Sequence, residues 1–323
     1  MFGSVDTRRD FETAKAFMMK IAVFVYSQSG QAYDAARSIF GLSGRADADG
    51  AYENMVIFKT IQPEQVYPFP WDRKTFFDVF PETRLGLPPS GIRPVDLSDV
   101  EDADLVVIVG QSWFLSPSLP LQSFFGNEQV KRYLRGRNVV FVNVCRNMWL
   151  KTIQWVKSYL GEVNARLVGH IVLQDRNHNL VSVVTIVRWL LYGKKESTWI
   201  LPCAGVSDED VRGARRFGSI VRKAVAEGRY GGLQEELLSA GAICYRPSIV
   251  HIEKIGHRMF GFWARFIRRK GGLGCRRRWF RVELFYVYLI AVLFLVSPFV
   301  QMFFYLTYPL RRVGRNRQAD CAV

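Results

Sequence analysis

The 323-residue chain has little of what builds a metal centre or a disulfide framework. Its five cysteines, at 145, 203, 244, 275 and 321, are odd in number, widely spaced and without a C-x-x-C pair, so neither a cystine scaffold nor a zinc site is expected. Four histidines are equally scattered. The first twenty residues carry Arg8, Arg9, Asp10, Glu12 and Lys15 and lack the continuous apolar stretch of a secretory signal, so the bulk of the chain is expected in the cytoplasm. No G-x-G-x-x-G is present, which argues against a dinucleotide fingerprint.

What is there begins at Lys20-Ile-Ala-Val-Phe-Val-Tyr-Ser-Gln-Ser-Gly-Gln31, an apolar strand that runs into a hydroxyl-rich turn and then into the helix-like Ala32–Phe40. Such a turn aims backbone N–H groups and the positive end of a helix at one anion. Ser27 and Ser29 add hydroxyls, Gln28 and Gln31 flank them, and Gly30 permits close approach. No Lys-Ser/Thr pair follows Gly30, so a nucleoside triphosphate is disfavoured and a monophosphate such as FMN fits better.

Strand-length apolar runs recur at 21–26, 55–58, 105–109, 139–144 and 167–173, separated by helix-compatible segments at 31–40, 119–135, 148–160 and 208–226. Alternation of this kind predicts an α/β fold. Leu105–Val109 and Val139–Val144 are nearly continuous apolar runs, as expected of central strands buried on both faces. The expectation is a flavodoxin-like, doubly wound, five-stranded parallel sheet of order 2-1-3-4-5, with ligand bound beyond the carboxyl ends of the first and third strands. The loops meeting there carry Gln111, Trp113 and Phe114, and then Cys145-Arg-Asn-Met-Trp149, so Gln111, Trp113, Phe114, Asn147 and Trp149 are candidates to face a flavin ring. Residues 60–95, rich in proline and rings, read as a lid. A second insertion, 174–200, contains Leu180–Tyr192, read either as a helix lining an apolar channel or as plain core.

The net charge of +15 belongs to the end of the chain. Residues 246–323 hold fifteen Arg or Lys against Glu253, Glu283 and Asp320, which makes +12 and leaves +3 for the rest. Ile249–Lys270 mixes rings and cations as an interfacial amphipathic helix does, within a basic segment 246–283. Leu284–Leu310 is 27 residues without formal charge, fenced by arginines that include Arg276–Arg278, Arg281, Arg311 and Arg312. It is longer than the roughly 20 residues that span a bilayer, so a membrane segment is expected there, with a basic tail at 311–323. Ser297-Pro298 near its middle leaves two topologies open, one kinked crossing or a hairpin in one leaflet. Membrane lipid is thus the expected partner of residues 249–317, at the cytoplasmic face of the inner membrane. The arginines flank an apolar run and belong to no nucleic-acid module, so no nucleic-acid partner is expected. The expected organisation is a leader at 1–19, a flavodoxin-like domain at 20–245 and this membrane-associated helical tail.

Tyr26-Ser-Gln-Ser-Gly30, Phe69-Pro-Trp71, Trp113-Phe-Leu-Ser-Pro-Ser118, Cys145-Arg-Asn-Met-Trp149, and Asp175–Ser182 followed by Arg188-Trp-Leu-Leu191 resemble the flavodoxin-like proteins of bacterial dialkylresorcinol biosynthesis, often labelled condensing enzymes. The resemblance spans residues 20–225 and leaves out the tail. It implies that a ketosynthase-type partner joins two acyl chains into a dialkylcyclohexanedione, and that the flavodoxin-like protein oxidises this ring to the resorcinol with FMN. Condensation itself would need a nucleophilic cysteine with histidine partners, and Cys145 has no histidine motif to serve it. Ala32 stands where many flavodoxins have another hydroxyl. For the oxidation, His178 is the expected base, with Asp175 orienting it and Arg176 or Arg146 stabilising the enolate oxygen. Two other functions share these residues: an FMN-dependent NAD(P)H quinone oxidoreductase at the membrane, and a non-catalytic flavodoxin-like scaffold that recruits a ketosynthase.

Overall fold

Apolar runs without polar alternation can be satisfied only where helices cover both faces, and the chain is arranged that way. The computed structural model describes residues 19–41 and 56–296, together with 299, 302 and 306. Five strands are parallel: β1 (Ile21–Val25), β2 (Val56–Thr60), β3 (Leu105–Trp113), β5 (Asn138–Cys145) and β6 (Arg166–Gln174). They lie in the order β2-β1-β3-β5-β6, which is 2-1-3-4-5 when the parallel strands alone are counted. Register runs Val56–Ile21–Leu105 at one end and Thr60–Val25–Val109 at the other, so the carboxyl ends of β1, β2 and β3 reach one edge together.

The strand count is six, and the expected five is corrected. β4 (Ser116–Pro117) turns back antiparallel on the end of β3, pairing Ser112 with Pro117 and Trp113 with Ser116. Phe114 and Leu115 make the turn at positive φ, 47° and 62°. Two residues are too few to show a period, and neither turn residue is the glycine that would announce a left-handed position.

One face of the sheet is covered by α1 (Gln31–Phe40), α9 (Arg215–Ala226) and α10 (Leu233–Ser239), through Ala35, Ile39, Phe217, Val221 and Leu237. The short α8 (Asp208–Gly213) precedes α9. The other face is covered by α4 (Leu119–Gly126), α5 (Glu128–Leu134) and α6 (Leu150–Glu162). The expected 119–135 helix is broken at Asn127, whose side chain caps α5 by accepting from the amides of Gln129 and Val130.

Between β2 and β3 the proline-rich stretch forms α2 (Arg73–Asp78) and α3 (Phe80–Leu85). After β6 come α7 (Asn179–Tyr192) and then two paired helices, α11 (Pro247–Arg268) and α12 (Trp279–Ala291), the latter running into a π-turn at Val292–Val296. Phe77, Phe80, Ala264, Ile267, Val282 and Phe285 make a separate apolar cluster there, with the rings of Phe80 and Phe285 stacked at 3.9 Å.

That cluster is tied by a buried ion group. Arg278, expected to fence a membrane segment, is 0% exposed. Its Nε donates to Asp78 at 2.6 Å, and Nη1 and Nη2 donate to Glu82 at 2.6 and 2.9 Å; Nη2 also donates to the Asp78 carbonyl. The arginine therefore neutralises lid carboxylates. Among the described residues no helix is long and apolar enough to cross a membrane, so the expected spanning helix is not found there. Val282 and Phe285 use the beginning of the apolar run for packing. Ser297, Pro298 and most of 297–323 lie outside the described residues, as do 1–18.

Glu253 of α11 makes a second anchor. Buried, it accepts from the amides of Leu150 and Lys151 at 3.3 and 2.7 Å, at the start of α6. Burial raises its carboxyl pKa to about 7, against the pull of those amides.

Removing one partner of a buried ion pair leaves charge without compensation. Arg278→Ala should cost about 3–5 kcal/mol in urea unfolding, and Arg278→Lys should recover only part of it, because a point charge cannot reproduce the forked contact. For Glu253, a pKa higher in the folded state than in the unfolded one means its contribution is full below pH 4.5 and lost as pH rises through 7. The unfolding free energy of the native chain minus that of Glu253→Gln should therefore fall by about 1.4 kcal/mol per pH unit between those values and then level off.

Candidate functional site

The turn after β1 has the geometry that an anion cradle needs. Gly30, at φ +88°, precedes α1 and would have nothing within 4 Å of an added Cβ, so the approach to the helix end is open. Among the described residues the amides of Ser29 and Gly30 donate to no acceptor, and that of Gln31, first in the helix, has no carbonyl a turn earlier to serve it. Ser27 Oγ accepts from the Ala32 amide at 3.1 Å, which closes the turn and still leaves its hydroxyl hydrogen to donate.

The glutamines of this turn hold the surroundings in place. Gln28 donates through Nε2 to the carbonyls of Tyr67 and Pro68 at 2.9 and 2.7 Å, accepts from the Tyr26 hydroxyl, and its amide donates to Gln111 Oε1 at 3.1 Å. Gln31 is buried and makes a reciprocal pair with Val206, at 2.8 and 3.1 Å. Both the lid and the 193–207 loop are thereby fixed to the cradle.

From the cradle a cleft of about 200 Å³ runs along the strand ends, walled by Trp71, Trp113 and Trp189 and lined also by Arg146 and Cys145. Trp113 lies edge-on to Trp71 at 5.5 Å and to Tyr67 at 5.4 Å. The lid meets α7 through the Trp71 amide, which donates to the Leu190 carbonyl at 2.7 Å. A second cavity of about 250 Å³ adjoins the cleft and shares Phe76, Ser112, Phe114, Cys145, Arg146, Ile186 and Leu190 with it. Its remaining wall is almost wholly apolar, drawn from Val183 and Val187 of α7, Ile252 and Phe260 of α11, and Leu289 and Leu293 beside them.

Arg146 stands where the two spaces join. Its Nη1 donates to the Asn179 side chain at 2.7 Å and to the Asn179 carbonyl at 3.2 Å, and Asn147 Nδ2 donates to the same Oδ1 at 2.9 Å. Burial pushes the guanidinium down to about 10 while Asp175 pulls it up, so it stays charged at neutral pH. Burial pushes the Cys145 thiol far up, which removes it as a thiolate nucleophile.

The structure thus brings together most of the expected residues. Ser29, Gly30, Gln31, Gln111, Trp113 and Phe114 gather at the cradle and cleft, with Arg146 opposite and Gln28 and Ser27 bracing them. It sets others apart. Trp149 is 2% exposed in the core beneath the site, edge-on to His170 at 5.6 Å. His178 is exposed before α7 and lines neither space. Arg176 points to Asp210 on the surface at 2.8 Å. Asp175 is fully buried and turned to Ser182, whose hydroxyl donates at 2.6 Å, and to the Asn177 amide at 2.9 Å. Asn147 is buried behind Arg146 and serves it through Asn179. Not expected as site residues were Trp71, Trp189, Phe76, Ile186 and Gly205. Trp71 and Trp189 sit in the two insertions, within motifs that carried the family resemblance but were given no role.

No family model matches this sequence, and no curated protein does. Among solved structures the chain is similar to a flavoprotein in complex with FMN from Lactobacillus acidophilus NCFM, at 17% identity over 48% of this chain and 93% of that one, with a TM-score of 0.38. It is also similar to a flavodoxin from the domain Archaea, at 13% identity over 64% and 99%, TM-score 0.33. A third is RosB with the bound intermediate 8-demethyl-8-formylriboflavin-5'-phosphate, at 12% identity over 75% and 86%, TM-score 0.30. The class follows from the chain's own topology: a doubly wound α/β protein with the flavodoxin strand order and its cleft at the switch between β1 and β3.

Gly205 tests how tightly the cradle is closed. At φ +79° an added Cβ would fall 2.7 Å from both Gln31 Oε1 and the Trp189 ring. Gly205→Ala should destabilise by about 1–3 kcal/mol, read as a lower thermal midpoint.

Proposed function

We propose that this chain is an FMN-dependent oxidoreductase that converts a dialkylcyclohexanedione to a dialkylresorcinol. The observation that carries the reading is the junction at Arg146, where an aromatic cleft leading from an anion cradle meets an apolar cavity. The residues fit the cofactor: open helix-end amides and the Ser27 and Ser29 hydroxyls would hold its phosphate, and Trp71, Trp113 and Trp189 wall a space for a flat ring. Bound there, FMN would supply a two-electron acceptor.

The chain's own groups do the rest. A cyclic 1,3-dione ionises readily and spreads its negative charge over two oxygens, so what it needs from the protein is a fixed cation more than a strong base. Arg146, charged and oriented by Asn179, holds that oxygen. This agrees with the cleft walls, whose titratable side chains are Arg146 and the neutral Cys145. Phe76 and Phe114 stand between the two spaces, and the apolar wall beyond them accepts alkyl substituents by burial alone. The lid, tied to α7, excludes water from the ring. Overall the ring loses two electrons and two protons and becomes aromatic. A ketosynthase-type enzyme is the partner that would supply such a dione.

The protein purified in mild detergent should be yellow and should release FMN. Its flavin should be bleached anaerobically by a dialkylcyclohexanedione, and Arg146→Gln should keep the flavin while lowering kcat/KM about a hundredfold or more. A colourless protein that cannot be reconstituted with FMN would leave only the scaffold reading. Bleaching by NADPH but not by the dione would favour a quinone reductase.

A further inference from the structure

The face of α11 turned away from the core is divided lengthwise. At 3.6 residues per turn Lys254, Arg258 and Arg265 fall on one strip, and Ile255, Met259 and Phe262 on the strip beside it. All six are exposed, Phe262 to 61%, while Glu253, Ala264 and Ile267 on the opposite side are buried. Ile255, Met259 and Phe262 therefore hold water-facing apolar surface that nothing among the described residues covers.

The cations there are part of a larger group. Lys151 of α6 lies in the field of Lys254, Arg84 and Arg258, and Arg84 of α3 in that of Arg265. Five like charges from three elements share one region, and the carboxylate among them, Glu253, is buried and turned to the α6 amides. Further along, the turn between α11 and α12 exposes Arg269, Lys270, Arg276 and Arg277. α12 continues the pattern with an outward stripe at Phe280, Leu284 and Val287, and Phe294 and Leu295 are exposed after it. The two helices are locked by Trp263 against Tyr288 at 4.9 Å and Phe260 against Phe285 at 5.7 Å.

We propose that the outer faces of α11 and α12 dock on an anionic phospholipid surface, with both helices lying in the interface. Apolar strips flanked by cations along paired helices match a bilayer surface, where rings enter the acyl boundary and cations meet headgroups. A second copy would bring five more cations and no anion to meet them, whereas a phosphate headgroup supplies the opposite charge. The placement also has a consequence for the apolar cavity. Ile252, Gly256 and Phe260, and then Leu289 and Ile290, line it from the same two helices, so their outer neighbours rest on lipid while their inner ones wall the cavity. This proposal does not depend on the flavin.

The test is flotation of the full chain with vesicles of phosphatidylcholine alone or mixed with phosphatidylglycerol, over a range of salt. Binding should be strong only on the mixed vesicles and fall steeply with salt. Lys254→Gln/Arg258→Gln/Arg265→Gln should weaken it about a hundredfold, and Ile255→Ser/Met259→Ser/Phe262→Ser should weaken it as well, each with an unchanged thermal midpoint. Should both variants float as the native chain does, residues beyond 296 alone hold the membrane and the proposal falls. It falls equally if the native chain forms a dimer without vesicles that the serine variant abolishes. Flavin content, read on the same samples, reports separately on the reading of the cleft.

Discussion

The arrangement around the cleft depends on one buried cation. Arg278 is taken wholly out of water, a state tolerated only because Asp78 and Glu82 meet its guanidinium with two carboxylates and leave few of its donors unpaired. Asp78 ends α2, Glu82 belongs to α3, and Arg278 precedes α12. One ion group thus joins the lid to the end of the described chain, across 200 residues. Around it Phe80 stacks on Phe285 and Phe77 meets Tyr286 at 5.1 Å, so the charges fix the geometry and the rings add the burial.

This has consequences at the site. The doubly wound sheet supplies the cradle and one side of the cleft, as its strand order requires. It does not supply the apolar cavity, whose far wall comes from α11 and the residues of and after α12. Closure is shared by the lid, bonded to α7 through Trp71 and Leu190, and by Gln28 and Gln31, which spend their side chains on holding the lid and the 206 region to the cradle. The side chains of these two glutamines act as braces. That is economical in one respect: the amides, which every residue carries, are left for the anion.

Much of the fold was legible because it rests on local regularities. Continuous apolar runs marked the central strands, and the helix at 31–40 began where the turn chemistry put it. The sixth strand was not legible, since a two-residue ribbon turned by Phe114 and Leu115 has no pattern to read. At the site, Trp113 and Arg146 were readable from their places at the ends of β3 and β5, but Trp149, in the same loop as Arg146, faces the core, and no periodicity distinguishes the two directions in a four-residue turn. His178 drew a role from its chemistry alone, and the start of α7 carries it to the surface.

The sequence by itself determined the sheet, its order and the cradle, because these follow from hydrophobic period and turn chemistry within segments of a few to a dozen residues. Only the tertiary structure decided what the basic, apolar end of the chain does in its described part. Arg278 and its neighbours Arg276 and Arg277 are identical letters in one run; the first is buried between lid carboxylates while the others are exposed. Which of three adjacent arginines meets Asp78 and Glu82 is set by helix rotation and long-range packing, and neither leaves a mark on the local sequence.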